Sequence, residues 1–382
     1  MGVKKILRII YHSGKNSVNR LEICHKYNVM MQPDIQNSKL MDIPPLSKED
    51  IQSIDDYWGE FGVKFRDYSS FKVFYGVTGK KDPRFIPVPF ACYVIYPYYN
   101  DQTKRKAYAD KNMFQKIMPS MNFPEMLGQR INKRFYDRDG HYYGEKPTIE
   151  LSNTLFTYIS ERSDHNIVVK EALDSSFGLG VKKYEINDSG SLDGILRNNC
   201  SKNYIIQRAI RQHQFFRQFN ESSVNIIRLT TWRCGENVYV FSPCVRFGIP
   251  GSSTDVSFVN GIEILNCVGI DESGRLYDKG VHLDGKSFDV NVAEKKVPCW
   301  EKIVELVKRN HLKMNYFDII AWDITIDEES NIICIEYNLN QPGVLIYQFA
   351  HGPLAGEHTD ELLGFLKDEK NQRKYLPKSI RK

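Results

Sequence analysis

No two cysteines in this chain stand at C-x-x-C spacing; the eight lie singly at positions 24, 92, 200, 234, 244, 267, 299 and 334. Such scatter argues against a disulfide framework or a zinc site and suits reduced, mostly buried thiols in the cytoplasm. No stretch approaches the ~20 apolar residues that a spanning helix needs. The opening MGVKKILRIIYHSGK is basic, but its apolar run is too short for a signal peptide, and position 6 holds Ile rather than the Ser or Thr of a myristoylation signal. It reads as an ordinary N-terminal helix, with peripheral membrane contact as the alternative. Also missing are G-x-G-x-x-G, H-E-x-x-H and G-x-S-x-G. Net charge is only +5 over 382 residues, and no basic run interleaves with aromatics, so nucleic acid is not an expected partner.

What is present is the composition of a soluble globular protein, 41% hydrophobic and 26% charged, with length enough for two or three domains. Residues 1 to about 65 read as helical with breaks at Pro33 and Pro44-Pro45, and SKEDIQSIDDYW places Ser47 as an N-cap with Asp50 three residues on. The aromatic and proline-rich stretch Phe85–Tyr99 predicts edge strands and turns, and AYADKNMFQKIMPSMNFPE a helix ending near Pro119. From Ile149 onward the pattern predicts a helix over 151–161, strands at NIVVKEA and NYIIQRAI, and a hairpin turning at Gly235-Glu236-Asn237. An amphipathic helix, CWEKIVELVKRNHL, then precedes a last hairpin.

That last hairpin, WDITIDEESNIICIEYNLNQPG, carries charge among apolar residues, which is costly unless the charge is paired or bound to metal. Alternation puts Ile320, Trp322, Ile324 and Ile326 on one face and Asp323 on the other; in the second strand Cys334, Glu336 and Asn338 share a face. A four-residue loop, Glu328 to Asn331, sets Asp323 across from Glu336. Like charges at that separation repel unless a cation lies between them, and two carboxylates with an amide oxygen suit Mg²⁺ completed by phosphates and water. The competing interpretation is a solvated sheet face. Upstream, Lys170 ends an apolar strand and a small-residue loop with Gly178 and Gly180 follows. Such loops wrap phosphate oxygens, though a plain turn is the simpler alternative.

Together these pieces resemble the ATP-grasp superfamily, more closely its sugar-transfer-associated branch, over roughly Tyr108 to Gly356. The likeness rests on ADK at Ala109–Lys111, VVKEALDSSFGLG, YIIQRAIRQH, SVNIIRLTTW and the final hairpin, where Asp, then Glu-x-Asn thirteen residues on, then Pro-Gly, is the superfamily's metal signature. The resemblance implies an α+β protein of ATP-grasp fold, two α/β lobes holding ATP between them. A largely helical region over 1–95 would be followed by a small lobe over 96–205 and a C-terminal lobe over 206–382.

By that resemblance Asp323, Glu336 and Asn338 hold one or two Mg²⁺ at the ATP β- and γ-phosphates. Lys111 and Lys170 contact phosphates, and the loop with Ser175, Ser176, Gly178 and Gly180 closes over them. Gln207, Ala209 and Ile210 form the adenine hinge, and His213 a ribose or phosphate contact. Arg228 and Arg246 hold a phosphoryl oxyanion or a substrate carboxylate, surface arginines on strands being the alternative. Asp255 and Asn260 touch substrate. The implied activity is a cytoplasmic carboxylate–amine ligase acting through an acyl phosphate, joining an amino acid or other amine to a carboxylated sugar in surface-polysaccharide synthesis. A kinase on the same fold, with Asp255 as general base, and a nucleotide-binding module without catalysis are the other readings.

Overall fold

The computed structural model describes residues 22, 25–31, 42–173, 180–199, 202–340 and 343–382. The chain divides into two compact units, Met1–Asn100 with Asn340–Lys382, and Asp101–Leu339.

In the first unit Ser47 does start a helix, α1 (Lys48–Gly59): its side chain accepts from Asp50 N–H while the Asp50 carboxylate accepts from Ser47 N–H. This reciprocal cap satisfies two amides that the first turn leaves open. The helix buries Ile54 and Trp58. Trp58 meets Phe65, Phe71 and Phe90 edge to face and donates from Nε1 to Pro83 O at 2.7 Å. Helix α2 (Ser69–Thr78) ends at Gly79, whose φ of 68° is the left-handed geometry glycine adopts without penalty. Phe85–Tyr99, expected as edge strands, is instead helical, in the pieces Val88–Phe90, Ala91–Ile95 and Tyr96–Tyr99. Pro89 falls in the first turn, where a missing N–H costs nothing, whereas Pro97 lies inside the continuous run 88–99, just after a π-turn that accommodates it.

The second unit is built on two antiparallel sheets. The smaller has order β2-β1-β5-β3-β4, from β1 (Met126–Ile131), β2 (Arg134–Asp137), β3 (Asn166–Glu171), β4 (Lys182–Glu185) and β5 (Tyr204–Arg208). Helices α3 (Ile149–Ser160) and α4 (Ser189–Asn198) cover one face, burying Leu151, Leu155, Ile159, Leu192 and Leu196 against Ile167, Val169, Tyr204 and Ile206. The strand period of two then leaves Val168, Lys170, Ile205 and Gln207 on the other face; in register, Val168 lies opposite Gln207 and Lys170 opposite Ile205.

The larger sheet runs β11 (Ser287–Asp289), β10 (Leu276–His282), β9 (Ile262–Ile270), β7 (Asn237–Phe247), β6 (Ile226–Cys234), β12 (Ile319–Ile326), β13 (Ile332–Asn338), with β8 (Val256–Val259) paired to β9. Strand β6 lies between β7 and β12, and β13 is the edge strand beyond β12. The amphipathic α5 (Trp300–His311) covers the back of this sheet, where Ile303 and Val307 join Ile320, Trp322, Ile324 and Ile326 in one core. The class is therefore α+β, as the sequence implied. The single helix expected before Pro119 is instead broken into Arg105–Tyr108, Lys111–Met113 and Phe114–Ile117. Asp110, extended in backbone, breaks it and caps the second piece by accepting from Asn112 N–H.

Candidate active site

Asp323 does lie opposite Glu336. The hairpin reaches that register by a different route from a four-residue loop: Asp327 N–H bonds Asn331 O, leaving three loop residues with Ser330 in the left-handed region, and an irregularity between Asp323 and Ile324 restores the count. The extra residue is Ile335, a bulge that reverses the alternation. Cys334 consequently joins Tyr337 in the core instead of sharing a face with Glu336, and Ile335 lines the cleft beside Glu336.

Register then aligns a row of side chains across four strands, Glu336 opposite Asp323, Asp323 opposite Arg228, and Arg228 opposite Cys244. Arg228 grips Asp323 two-handed, Nε donating to Oδ1 and Nη2 to Oδ2, the latter at 2.7 Å. Asn338 Nδ2 donates to the same Oδ2 at 3.2 Å. Two residues along β7, Arg246 pairs with Asp255 at 2.6 Å.

Cations face this row. Lys111 is carried by a segment tied to the end of β3 through its own N–H to Ala172 O, and its Nζ lies 3.4 Å from Glu336 Oε2. Lys170 projects from β3 and is 7% exposed. Its pKa is lowered to about 8, by burial first and by the neighbouring Lys111 second. Burial pushes Glu336 upward, but Lys111, Lys170 and Arg228 outweigh it and hold the carboxylate below its ordinary value. At Asp323 burial prevails over Arg228 and raises the pKa.

The cleft beside these residues encloses about 140 Å³, below the ~300–1,000 Å³ usual for small-molecule sites. Lys111, Lys170, Gln207, Ile210, Asp255, Asp323 and Glu336 all face it. With the Arg246–Asp255 and Arg208–Glu125 pairs each cancelling, Lys111, Lys170 and Arg228 against Asp323 and Glu336 leave one net positive charge, suited to an anionic ligand. A magnesium ion fits the donor set, since the opposed carboxylates and the Asn338 amide are hard oxygen ligands on one side of an open cleft.

Other expected site residues are placed less directly. Gln207 donates from Nε2 to Pro124 O at 3.2 Å. Ala209 lines a neighbouring polar cleft together with Arg208 and Ile210. His213 caps the short helix Gln214–Arg217, its Nδ1 accepting from Phe215 N–H, and does not line the main cleft. Asn260 sits with Gly261 at the exposed tip of the β8–β9 hairpin, where its φ of 52° serves the two-residue turn. Gly180 has a φ of 78°. Ser175, Ser176 and Gly178 lie outside the described residues. The sequence reading missed Val168, Val181 and Ile226 as cleft lining, although their place follows from strand alternation once Lys170 and Arg228 are put in the site.

Residues 194–361, 168 of the 382, match the model of the family described as sugar-transfer associated ATP-grasp. No curated protein matches the chain in sequence. Among solved structures, D-alanyl-alanine synthetase A from Vibrio cholerae O1 biovar eltor is 12% identical with a TM-score of 0.41, over 69% of this chain and 65% of that one. The VanG D-Ala:D-Ser ligase from Enterococcus faecalis is 10% identical with a TM-score of 0.41, over 68% and 61%. An L-amino acid ligase from Bacillus licheniformis is 12% identical with a TM-score of 0.36, over 66% and 47%. The chain thus spans less than two thirds of each of these proteins, and likenesses of this degree assign no residue its role.

Proposed function

We propose that the chain, with the sugar-transfer associated ATP-grasp segment it carries, is an ATP-dependent carboxylate–amine ligase acting through an acyl phosphate. The observation that supports this reading most is one cleft in which Asp323 and Glu336 on the large sheet face Lys111 and Lys170, with Asn338 bonded to Asp323 beside it. Asp323, Glu336 and Asn338 would hold one or two magnesium ions, which when bound supply charge neutralisation at the transferred phosphoryl group. Lys111 and Lys170 pair with phosphate oxygens, and Lys170, half-neutral near pH 8, gains its proton as the anion arrives. The base lies toward the end of β5, between the apolar Val168, Val181, Ile226 and Ile335, within reach of the main chain at Gln207 to Ile210.

A substrate carboxylate attacks the γ-phosphorus and displaces ADP; an amine then attacks the acyl carbon and displaces phosphate. Arg228 and Arg246 offer two-point contacts to the oxyanions of both steps, and burial strengthens them. Asp255 lies beside them on the acceptor side. The family's association with sugar transfer supports a carboxylated sugar as one substrate and an amino acid or other amine as the second, in surface-polysaccharide synthesis in the cytoplasm. Among the described residues no helix is long and apolar enough to cross a membrane.

Phosphoryl transfer to a hydroxyl is the second reading, and Asp255 in the cleft favours it; that carboxylate, however, is engaged by Arg246 at 2.6 Å. Hydroxylamine separates the two. A ligase incubated with ATP, magnesium and its carboxylic acid yields a hydroxamate together with ADP. ADP and a phosphorylated sugar without hydroxamate would overturn the ligase reading.

A further inference from the structure

We propose that Arg228 stands in for the divalent cation in the unloaded protein, holding Asp323 until metal and nucleotide arrive together and then turning to the phosphoryl oxygens. The inference rests on the reading of Asp323, Glu336 and Asn338 as metal ligands. Its starting point is that the Asp323 carboxylate is already heavily engaged. Oδ1 accepts from Arg228 Nε, and Oδ2 accepts from both Arg228 Nη2 and Asn338 Nδ2. A carboxylate oxygen offers two lone pairs, so Oδ2 is filled and Oδ1 has one left. A metal can take both oxygens only if the guanidinium withdraws.

The charges point the same way. Opposed carboxylates repel, and here each has its own protein cation, Lys111 on Glu336 and Arg228 on Asp323. Adding a bare divalent ion to a cleft that already carries one net positive charge is unfavourable; adding it with a polyphosphate is not. The other carboxylates near Arg228 are already held by cations, Glu336 by Lys111 and Asp255 by Arg246. An incoming phosphate is therefore the natural anion to draw the guanidinium off Asp323. Metal entry and the arming of Arg228 become one event, which keeps the cleft from binding metal in advance of nucleotide.

The test is Mn²⁺ binding, followed by electron paramagnetic resonance, to the full chain without nucleotide. Arg228→Met makes the cleft neutral and frees Asp323, so it should bind Mn²⁺ at least about tenfold more tightly than the unaltered protein. The variant should also gain a metal-dependent rise in Tm that the unaltered protein lacks. Arg228→Lys retains the charge and should keep weak metal binding, a result that loss of shape alone would not give. If Arg228→Met does not fold, Arg228→Gln reads the same quantity. Unchanged Mn²⁺ affinity in Arg228→Met, with Glu336→Gln abolishing binding, would overturn the proposal and leave the metal site standing. If Glu336→Gln also changes nothing, the metal-site reading fails with it.

Discussion

Lys170 links stability and ligand binding with opposite signs. It is 7% exposed, and burial, then Lys111, lower its pKa to about 8, whereas an unfolded lysine titrates near ~10.4. Keeping it charged in the folded state therefore costs about 3 kcal/mol at neutral pH. Because the unfolded chain binds more protons between those two values, stability rises with pH across the window, and the cost is complete only below pH 8. The gain between pH 7 and 9 is about 1 kcal/mol. Buried thiols Cys244 and Cys334, raised well above their ordinary value, act in the opposite sense as pH climbs through the thiol range. The quantity to measure is thus the difference between the unaltered protein and Lys170→Met, which share those thiols. Urea unfolding at several pH values should show the difference shrinking as pH rises. Nucleotide affinity should move the other way and fall above pH 8, because phosphate binds the ammonium form; Lys170→Arg should flatten that fall. Parallel unfolding curves for the two proteins, or nucleotide affinity flat from about pH 7 to 9, would refute the placement of Lys170.

Glu336→Gln should lower ATP turnover by about a hundredfold or more, since even outer-shell partners of a metal cost 10–100-fold; steady-state ADP release at saturating magnesium checks it, alongside an unchanged circular dichroism spectrum. Trp58→Ala should destabilise the first unit by about 3–5 kcal/mol, because the ring is fully buried among Phe65, Phe71 and Phe90 and also loses its bond to Pro83; chemical denaturation reads it. Ser47→Ala should cost about 1 kcal/mol by breaking the reciprocal cap with Asp50, and thermal melts would show it.

The pairing of Asp323 with Glu336 was legible because a strand's period of two and a short polar loop leave few registers. The loop itself was not: a three-residue turn plus a bulge at Ile335 gives the same pairing as a four-residue turn, and only the fate of Cys334 distinguishes them. Lys170 was legible from its place at the end of an apolar run. The grip of Arg228 on Asp323 was not, because it depends on β6 lying beside β12, a neighbour 95 residues away in the chain. Phe85–Tyr99 misled because its aromatics and prolines fit an edge strand as well as a helix with prolines at its start and just past a π-turn. Packing of Phe90, Ile95 and Tyr96 into the core accompanies the helical form, and local propensity cannot report it.

The measurement closest to the central claim is magnesium-dependent ADP release against a grid of uronic acids and amino acids, with Asp323→Asn as the blank. Release should need one member of each set and vanish in Asp323→Asn. Release that persists in Asp323→Asn, or that needs a sugar alone, would contradict that claim.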